Sequence, residues 1–210
     1  MVHRGAILYV VAVLQFVAAM AIVQVGFGGY SDVANPVSDL GNSSLSHWSI
    51  VFNVSIVLLG ILGVAGTVLL RHAFPARRTS LIGIGALVLG FLGAVGVGLF
   101  PEGSPHGLHT IFSAVTSFMG GFGLLVLSFA MLRDTRWAGF RLYTLVSAIV
   151  TLGAFGALAA DGSRLTDAGL FGGVERVVIA PLLLWAVVAG IHLLRIPSYS
   201  PEPAVTAWSG

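Results

Sequence analysis

The sequence predicts an all-α integral membrane protein, a bundle of six transmembrane helices, and three observations support this. Hydrophobic residues make up 57% of the 210-residue chain and charged residues only 9%, whereas a soluble domain is about 25% charged. Six apolar stretches are each long enough to cross a hydrocarbon core of about 30 Å as a helix. The stretches lack the residue-by-residue alternation that is typical of membrane β-strands, so helices are expected.

The predicted spans follow one another with short connections, which indicates a single transmembrane domain over residues 1–196. The spans cover residues 6–28, 48–70, 80–100, 107–132, 139–160 and 174–194. The first span is longer than the apolar core of a signal peptide, which has roughly 7–15 residues, so we expect it to remain in the protein as a transmembrane helix. Residues 197–210 contain Pro201 and Pro203 and are expected to form a flexible cytoplasmic tail.

The arginines predict the orientation of the bundle. All ten basic residues are Arg, and eight of them fall at the N-terminus, in the second and fourth loops and after the last span. These places share one side of a six-span protein, and Arg-rich loops stay in the cytoplasm. Six of the eight acidic residues fall on the other side. Both termini are therefore expected to be cytoplasmic, in the cell (plasma) membrane. The use of Arg without Lys favours a prokaryotic source.

Composition also excludes several classes of function. The chain has no cysteine, so a disulfide framework, a thiolate metal site and a cysteine nucleophile are excluded. Its net charge is only +2, and the basic residues follow the membrane topology rather than forming a nucleic-acid patch. The expected partner is therefore the lipid bilayer, and no nucleic acid.

Small and hydroxyl side chains predict how the spans pack. Glycines crowd the second, third and fourth spans, where they permit close approach of helices. The fifth span carries Thr144, Ser147 and Thr151 along one helical edge. Such side chains are expected to face the bundle interior rather than lipid.

Ionisable residues gather in the loops that are predicted to face outward. The first loop contains the run Asn35-Pro36-Val37-Ser38-Asp39-Leu40-Gly41, and the third loop ends in Glu175-Arg176. The second loop runs from Phe100 to His109 through Pro101, Glu102 and His106. This concentration at one membrane face predicts an outward-opening pocket that combines carboxylates, imidazoles and one guanidinium.

The second loop also predicts how the fourth span begins. Ser104 followed by Pro105 is typical of a helix N-cap and first position, so the helix is expected to start there. His106 and His109 would then stand three residues apart on one helical face. That face continues through Ser113, and we expect it to point into the bundle.

At these motifs the chain resembles the domain of unknown function 998 family of small prokaryotic membrane proteins. The resemblance covers most of the chain, and it is carried by Asn35-Pro36 with Ser38-Asp39-Leu40-Gly41, by Phe100-Pro101-Glu102 with His106 and His109, and by Glu175-Arg176. It implies a six-helix membrane protein and no particular activity.

One functional hypothesis is a metal site. His106 and His109 with a carboxylate from Asp39, Glu102 or Glu175 would supply three ligands to a divalent metal such as zinc. Such a set leaves a coordination position open for an activated water. The structural interpretation of the same residues is that the His and acidic side chains bond each other and the helix ends.

Two further hypotheses need no metal. A carboxylate–His pair at the membrane surface could transfer protons in chemistry on a lipid or isoprenoid. Alternatively the protein is a non-catalytic lipid- or small-solute-binding membrane protein, a transporter or an accessory subunit. For Glu175-Arg176 the structural interpretation is a helix cap with its counter-charge.

We predict hydrolysis or transfer on a lipid-like substrate, with a non-catalytic binding protein as the alternative. The predicted site residues are Asp39, Glu102, His106, His109, Glu175 and Arg176, with His106 and His109 as the candidate metal ligands.

Overall fold

The computed structural model describes residues 1–195, and over that range it confirms the all-helical fold with six long apolar helices. The helices are α1 (Val2–Gly26), α2 (Ser49–Leu70), α3 (Arg78–Leu99), α4 (Leu108–Ala130), α5 (Ala138–Asp167) and α6 (Phe171–Arg195). Each is long and apolar enough to cross a bilayer, so the chain is a multi-pass membrane protein. The predicted tail at 197–210 lies outside the described residues.

The six helices form a closed ring in sequence order. Each helix packs on the next, and α6 returns to pack on α1. Aromatic side chains fill the centre, where the ring centroid of Tyr9 lies 5.8 Å from that of Phe91 and 6.2 Å from that of Trp185. The Tyr9 hydroxyl bonds Thr67 Oγ1 at 2.7 Å, so this fully buried polar group is satisfied.

Glycines bring neighbouring helices into close contact, as the sequence predicts. A Cβ atom added to Gly90 on α3 would lie 3.0 Å from the amide nitrogen of Gly120 on α4. A Cβ atom on Gly63 of α2 would overlap the ring of Phe91 on α3. Larger residues at these positions would force the helices apart, so the glycines set the interhelical distances.

The hydroxyl edge of α5 faces inward, as expected. Thr144, Ser147 and Thr151 are all buried. Thr144 accepts a hydrogen bond from Trp185 Nε1 at 2.9 Å, and Thr151 donates to the carbonyl of Val178. These contacts join α5 to α6 inside the bundle.

Helical structure in α5 extends to Asp167, but its path breaks at Asp161, where φ is −138° and ψ is 31°, directly after the predicted end of the span at residue 160. The segment beyond this kink ends just before a glycine. Gly169 has a φ of +67°, and the amide of Leu170 bonds the carbonyl of Leu165 at 2.8 Å. This left-handed glycine with a bond across the last turn is a common helix terminator. Only three residues then separate α5 from α6.

Three loops lie together at one end of the bundle, and we call this the acidic end. They cover residues 27–48, 100–107 and 168–170. The amide of Gly173 at the start of α6 donates to the carbonyl of Val33 at 2.8 Å, which joins the first loop to α6. The nearest atom to a Cβ on Gly103 would be the side-chain amide of Asn42, so the first and second loops also adjoin.

Candidate functional site

His109 is the buried centre of the candidate site. It lies in the first turn of α4 and is only 8% exposed. Its Nδ1 atom lies 3.1 Å from the carbonyl oxygen of Phe100, the residue that follows α3. Because a carbonyl oxygen can only accept, the proton of the neutral ring is on Nδ1. His109 therefore joins the end of α3 to the start of α4 and points Nε2 the other way.

Two side chains converge on that second nitrogen. Nε2 of His109 lies 3.1 Å from Oε2 of Glu102 and 3.3 Å from Oγ of Ser113. With Nδ1 already protonated, the contact with Glu102 requires one proton, carried either by Nε2 or by the carboxyl group. A hydrogen bond between these two groups therefore contains one proton. The Glu102 side chain is 42% exposed, so this proton is accessible from the membrane surface.

Asp39 supplies a second carboxylate near Glu102. It lies in the 3₁₀ turn Val37–Gly41 and accepts a hydrogen bond from Asn35 Nδ2 at 3.2 Å. Burial raises the pKa of Asp39, the hydrogen bond from Asn35 opposes this rise, and the negative charge of Glu102 adds to it. The negative charge of Glu102 therefore adds to the effect of burial in disfavouring the ionised form of Asp39.

Glu175 is a third carboxylate, and it holds the first loop in place. Its Oε2 accepts a hydrogen bond of 2.5 Å from the amide of Val37, which begins the turn that carries Asp39. Its charge also interacts with Asp39 and Glu102. The structure thus brings an acid from the first loop, an acid from the second loop and an acid near the start of α6 within electrostatic range of one another.

Arg176 is a clamp on the first loop. Its NH1 group donates to the carbonyls of Asp32, Asn35 and Gly172, and its NH2 group donates to the hydroxyl of Tyr30 at 2.8 Å. NH2 also pairs with the Asp32 carboxylate at 2.7 Å. Burial raises the pKa of Tyr30, although the bond and charge of Arg176 oppose that rise.

The helix-cap interpretation of Glu175-Arg176 is therefore wrong. Glu175 bonds the backbone of the first loop instead of the free amides of its own helix, and Arg176 pairs with Asp32. The physical reason is that the first loop folds over the start of α6, where its backbone groups need partners.

His106 does not join the site. Residues Pro105–Gly107 form a separate 3₁₀ turn in which His106 has a φ of +62°, and Gly107, with a φ of +65°, is the N-cap of α4. A helical turn does begin at Pro105, with Ser104 as its N-cap, but it is not continuous with α4, so the prediction that both histidines lie on one helical face is wrong. Two consecutive left-handed residues break the helical path, and they leave the His106 side chain exposed.

The metal-site hypothesis requires His106, His109 and a carboxylate to lie close together. Among residues 1–195, no group of three or more His, Asp or Glu side chains is placed so that it could hold a metal ion. The acids and His109 instead bond each other and backbone groups.

Some contributors were not singled out from the sequence. Tyr30 and Asp32 bind Arg176 across more than 140 residues, so no local pattern could indicate them. Ser113 is different, because it stands four residues from His109 and this spacing by itself predicts contact on a helix.

Comparison with known proteins gives a family and no activity. The model of a family described as Protein of unknown function (DUF998) matches residues 10–192, most of the chain. No curated protein and no solved structure matches the chain.

Proposed function

Because the chain belongs to this family of proteins of unknown function (DUF998), whose description assigns no reaction, we propose a function from the geometry of the acidic end. The proposal is a membrane-surface acid–base site that carries out hydrolysis or group transfer on a lipid-like substrate. Glu102 and His109 transfer the proton, Asp39 and Glu175 supply the neighbouring carboxylates, and Arg176 holds the first loop in position.

The observation that carries this proposal is the arrangement around His109. A backbone carbonyl holds the proton on Nδ1, so the neutral ring has its lone pair on Nε2 and can act as a base there. A surface-accessible carboxyl group lies 3.1 Å from that nitrogen, within reach for proton transfer. Proton transfer by a positioned His or carboxyl group contributes about 10²–10⁴-fold to the rate of a reaction.

The position of the pair favours a substrate held in the bilayer. His109 lies in the first turn of α4, a helix long and apolar enough to span a membrane. The ends of such a helix lie near the level where polar headgroups meet hydrocarbon. A lipid-like molecule would present the bond next to its headgroup at this depth.

We propose further that the acidic end faces outward from the cell membrane and that both termini are cytoplasmic, because most arginines flank the opposite end of the helices. Labelling of single cysteines, introduced at Ser43 in the first loop and at Ala76 between α2 and α3, tests this in intact cells. An impermeant thiol reagent should modify the first position only, and the reverse pattern would refute the orientation.

The catalytic proposal is tested by turnover in vesicles of phosphatidylethanolamine and phosphatidylglycerol. Released fatty acid and headgroup are measured by mass spectrometry for the wild type, His109→Ala and Glu102→Gln. We expect a fall of about 10²–10⁴-fold for His109→Ala. His47→Ala is the matched control, because His47 is an exposed histidine of the same end. Equal turnover in His109→Ala and the wild type would refute the proposal.

That His106 and His109 bind a metal is a separate proposal. It is tested by measuring the metal content of the same preparations. About one metal per chain, lost in the variant with both histidines changed to Ala, would support zinc chemistry at this site. Metal content that does not depend on these histidines would refute these ligands.

A lipid-binding function is the second candidate, and one groove favours it. A cleft of about 380 Å³ between α1 and α2 is lined by Ile50, Val51, Val54, Leu58 and Ala19, with Gln15 and Ser55 as its polar members. The Gln15 amide is held by a hydrogen bond from Nε2 to the Ser55 carbonyl at 2.9 Å. The apolar lining fits an acyl chain. Val54→Trp should reduce lipid that copurifies with the protein, and unchanged lipid would refute this role.

A further inference from the structure

We propose that Ser113 is the nucleophile of this site, and that the substrate is a carboxylic ester of a lipid-like molecule. This inference rests on the proposed acid–base function and adds a covalent acyl-enzyme step to it. Ser113 lies in the second turn of α4, is only partly buried, and places Oγ 3.3 Å from Nε2 of His109.

The hydroxyl of Ser113 points in an unusual direction for a membrane helix. Ser and Thr hydroxyls in helix interiors commonly donate to the carbonyl three or four residues earlier. Within residues 1–195, the hydroxyls that do so include those of Ser55, Thr67, Thr116, Ser128, Thr144 and Thr166. The hydroxyl of Ser113 instead meets the ring nitrogen of His109.

The protonation of His109 suits it to activate this hydroxyl. The bond from Nδ1 to the Phe100 carbonyl leaves the lone pair of the neutral ring on Nε2, facing Ser113. A nucleophile within hydrogen-bond reach of a base, which is itself oriented by a third group, is the general arrangement for covalent catalysis. Here the third group is a backbone carbonyl.

In the absence of substrate, the Glu102 carboxyl group contacts the same nitrogen, Nε2 of His109. Its side chain is 42% exposed and lies in a loop, whereas Ser113 is fixed on the helix beside the ring. An entering substrate can therefore displace Glu102 while the contact between Ser113 and His109 remains. The displaced Glu102 then lies at the rim of the site and takes no part in the covalent steps.

The reaction balances as an acyl transfer. Oγ of Ser113 attacks the ester carbonyl carbon, and its proton moves to Nε2 of His109. The bond between the carbonyl carbon and the leaving oxygen breaks, and Nε2 returns the proton to that oxygen, which releases an alcohol. Water or a second alcohol then attacks the carbonyl carbon of the acyl-serine and gives its proton to Nε2 of His109. The bond between that carbon and Oγ of Ser113 breaks, Nε2 returns the proton to Oγ, and a carboxylic acid or a new ester is released.

Helix α4 assists this chemistry electrostatically. Its N-cap is Gly107, which contributes no side-chain hydrogen bond to the free amides of the first turn. The positive end of the helix dipole therefore stabilises negative charge that develops nearby on the carbonyl oxygen.

The test uses a fluorophosphonate with a long alkyl chain as the probe, on full-length protein in the same vesicles. The probe forms a stable bond to an activated serine oxygen with loss of fluoride, and mass spectrometry of peptides locates the adduct. We expect one adduct, on Ser113, which disappears in Ser113→Ala and falls at least tenfold in His109→Ala. Ser117→Ala is the matched control, because Ser117 is a partly buried serine one turn further along α4.

The outcomes separate this inference from the function on which it rests. A Ser113 adduct together with lost ester turnover in Ser113→Ala supports both. Turnover that depends on His109 but survives in Ser113→Ala overturns the nucleophile and leaves the acid–base function standing. An adduct on another serine, or labelling that is equal in Ser113→Ala and the wild type, also overturns the nucleophile. Turnover that is independent of His109 overturns both.

Discussion

Replacement of Arg176 tests whether this residue clamps the first loop. Arg176→Gln removes four hydrogen bonds from the guanidinium to neutral oxygens, on Tyr30, Asp32, Asn35 and Gly172. A hydrogen bond to a charged group contributes about 1.5–3 kcal/mol. Bonds that share one side chain are not additive, and the Asp32 side chain is 67% exposed, so its ion pair adds little. We therefore expect the free energy of loop opening to fall by about 2–4 kcal/mol.

Hydrogen exchange of the loop amides measures this change directly. The amide of Asn35 is bonded to the Ser31 carbonyl, and that of Val37 to Glu175, so both report opening of the loop. Since 1.4 kcal/mol is a factor of ten, the protection of these amides should fall about 30- to 700-fold. Protection within the membrane-spanning helices should stay unchanged.

Two further variants make the result specific. Arg164→Gln is the matched control, because the Arg164 side chain is 82% exposed and its ion pair with Asp161 should contribute well under about 1 kcal/mol. Arg176→Lys keeps the charge but loses the planar fork, so its loss of protection should be intermediate. Protection of Val37 that changes less than threefold in Arg176→Gln would refute the clamp.

Three further substitutions have signs that follow from the structure. The folded state raises the pKa of Asp39, so Asp39→Asn should raise the thermal unfolding temperature near pH 7.5. This gain should vanish as the pH falls toward about 4, and a gain that does not depend on pH would contradict it. Asp134 accepts from the Arg136 backbone amide and guanidinium, and these bonds lower its pKa. Asp134→Asn should therefore lower the free energy of unfolding by about 1 kcal/mol at neutral pH. This loss should shrink as the pH falls through the lowered pKa of Asp134, and a loss that does not change with pH would argue against the pairing. Gly63→Ala places a methyl group against an aromatic ring and should lower the free energy of unfolding, measured by thermal unfolding, by about 1–3 kcal/mol. Gly85→Ala meets open space and should leave it unchanged. Equal effects of the two substitutions would refute the packing argument.

The fold was predictable because the bilayer leaves few choices. A chain that is 57% hydrophobic with six long apolar stretches can satisfy its backbone groups in lipid only as helices. The packing role of the glycines in α2, α3 and α4 was also predictable, because close packing of membrane helices favours small residues. The ring closed by contact of α1 with α6 was not predictable, since no local pattern specifies which distant helices meet.

The candidate site was predictable in part, and its two histidines show why. His109 and Ser113 stand four residues apart on one helix, so their contact follows from helical geometry. His106 could not be placed by the same rule, because the chain takes a left-handed turn at that residue before α4 begins. The sequence offers Pro105 as a helix start, but Gly107 is the actual N-cap.

The sequence by itself determined the membrane class of the protein, its six spans and the gathering of acids and imidazoles at one end, because hydropathy and loop charge act locally along the chain. Only the tertiary structure decided which of those groups meet. Glu175 reaches the backbone of Val37, 138 residues away, and Arg176 reaches Tyr30 at a similar separation. The first loop has no helix or sheet ladder to satisfy its backbone groups, so it takes its partners from the side chains of α6.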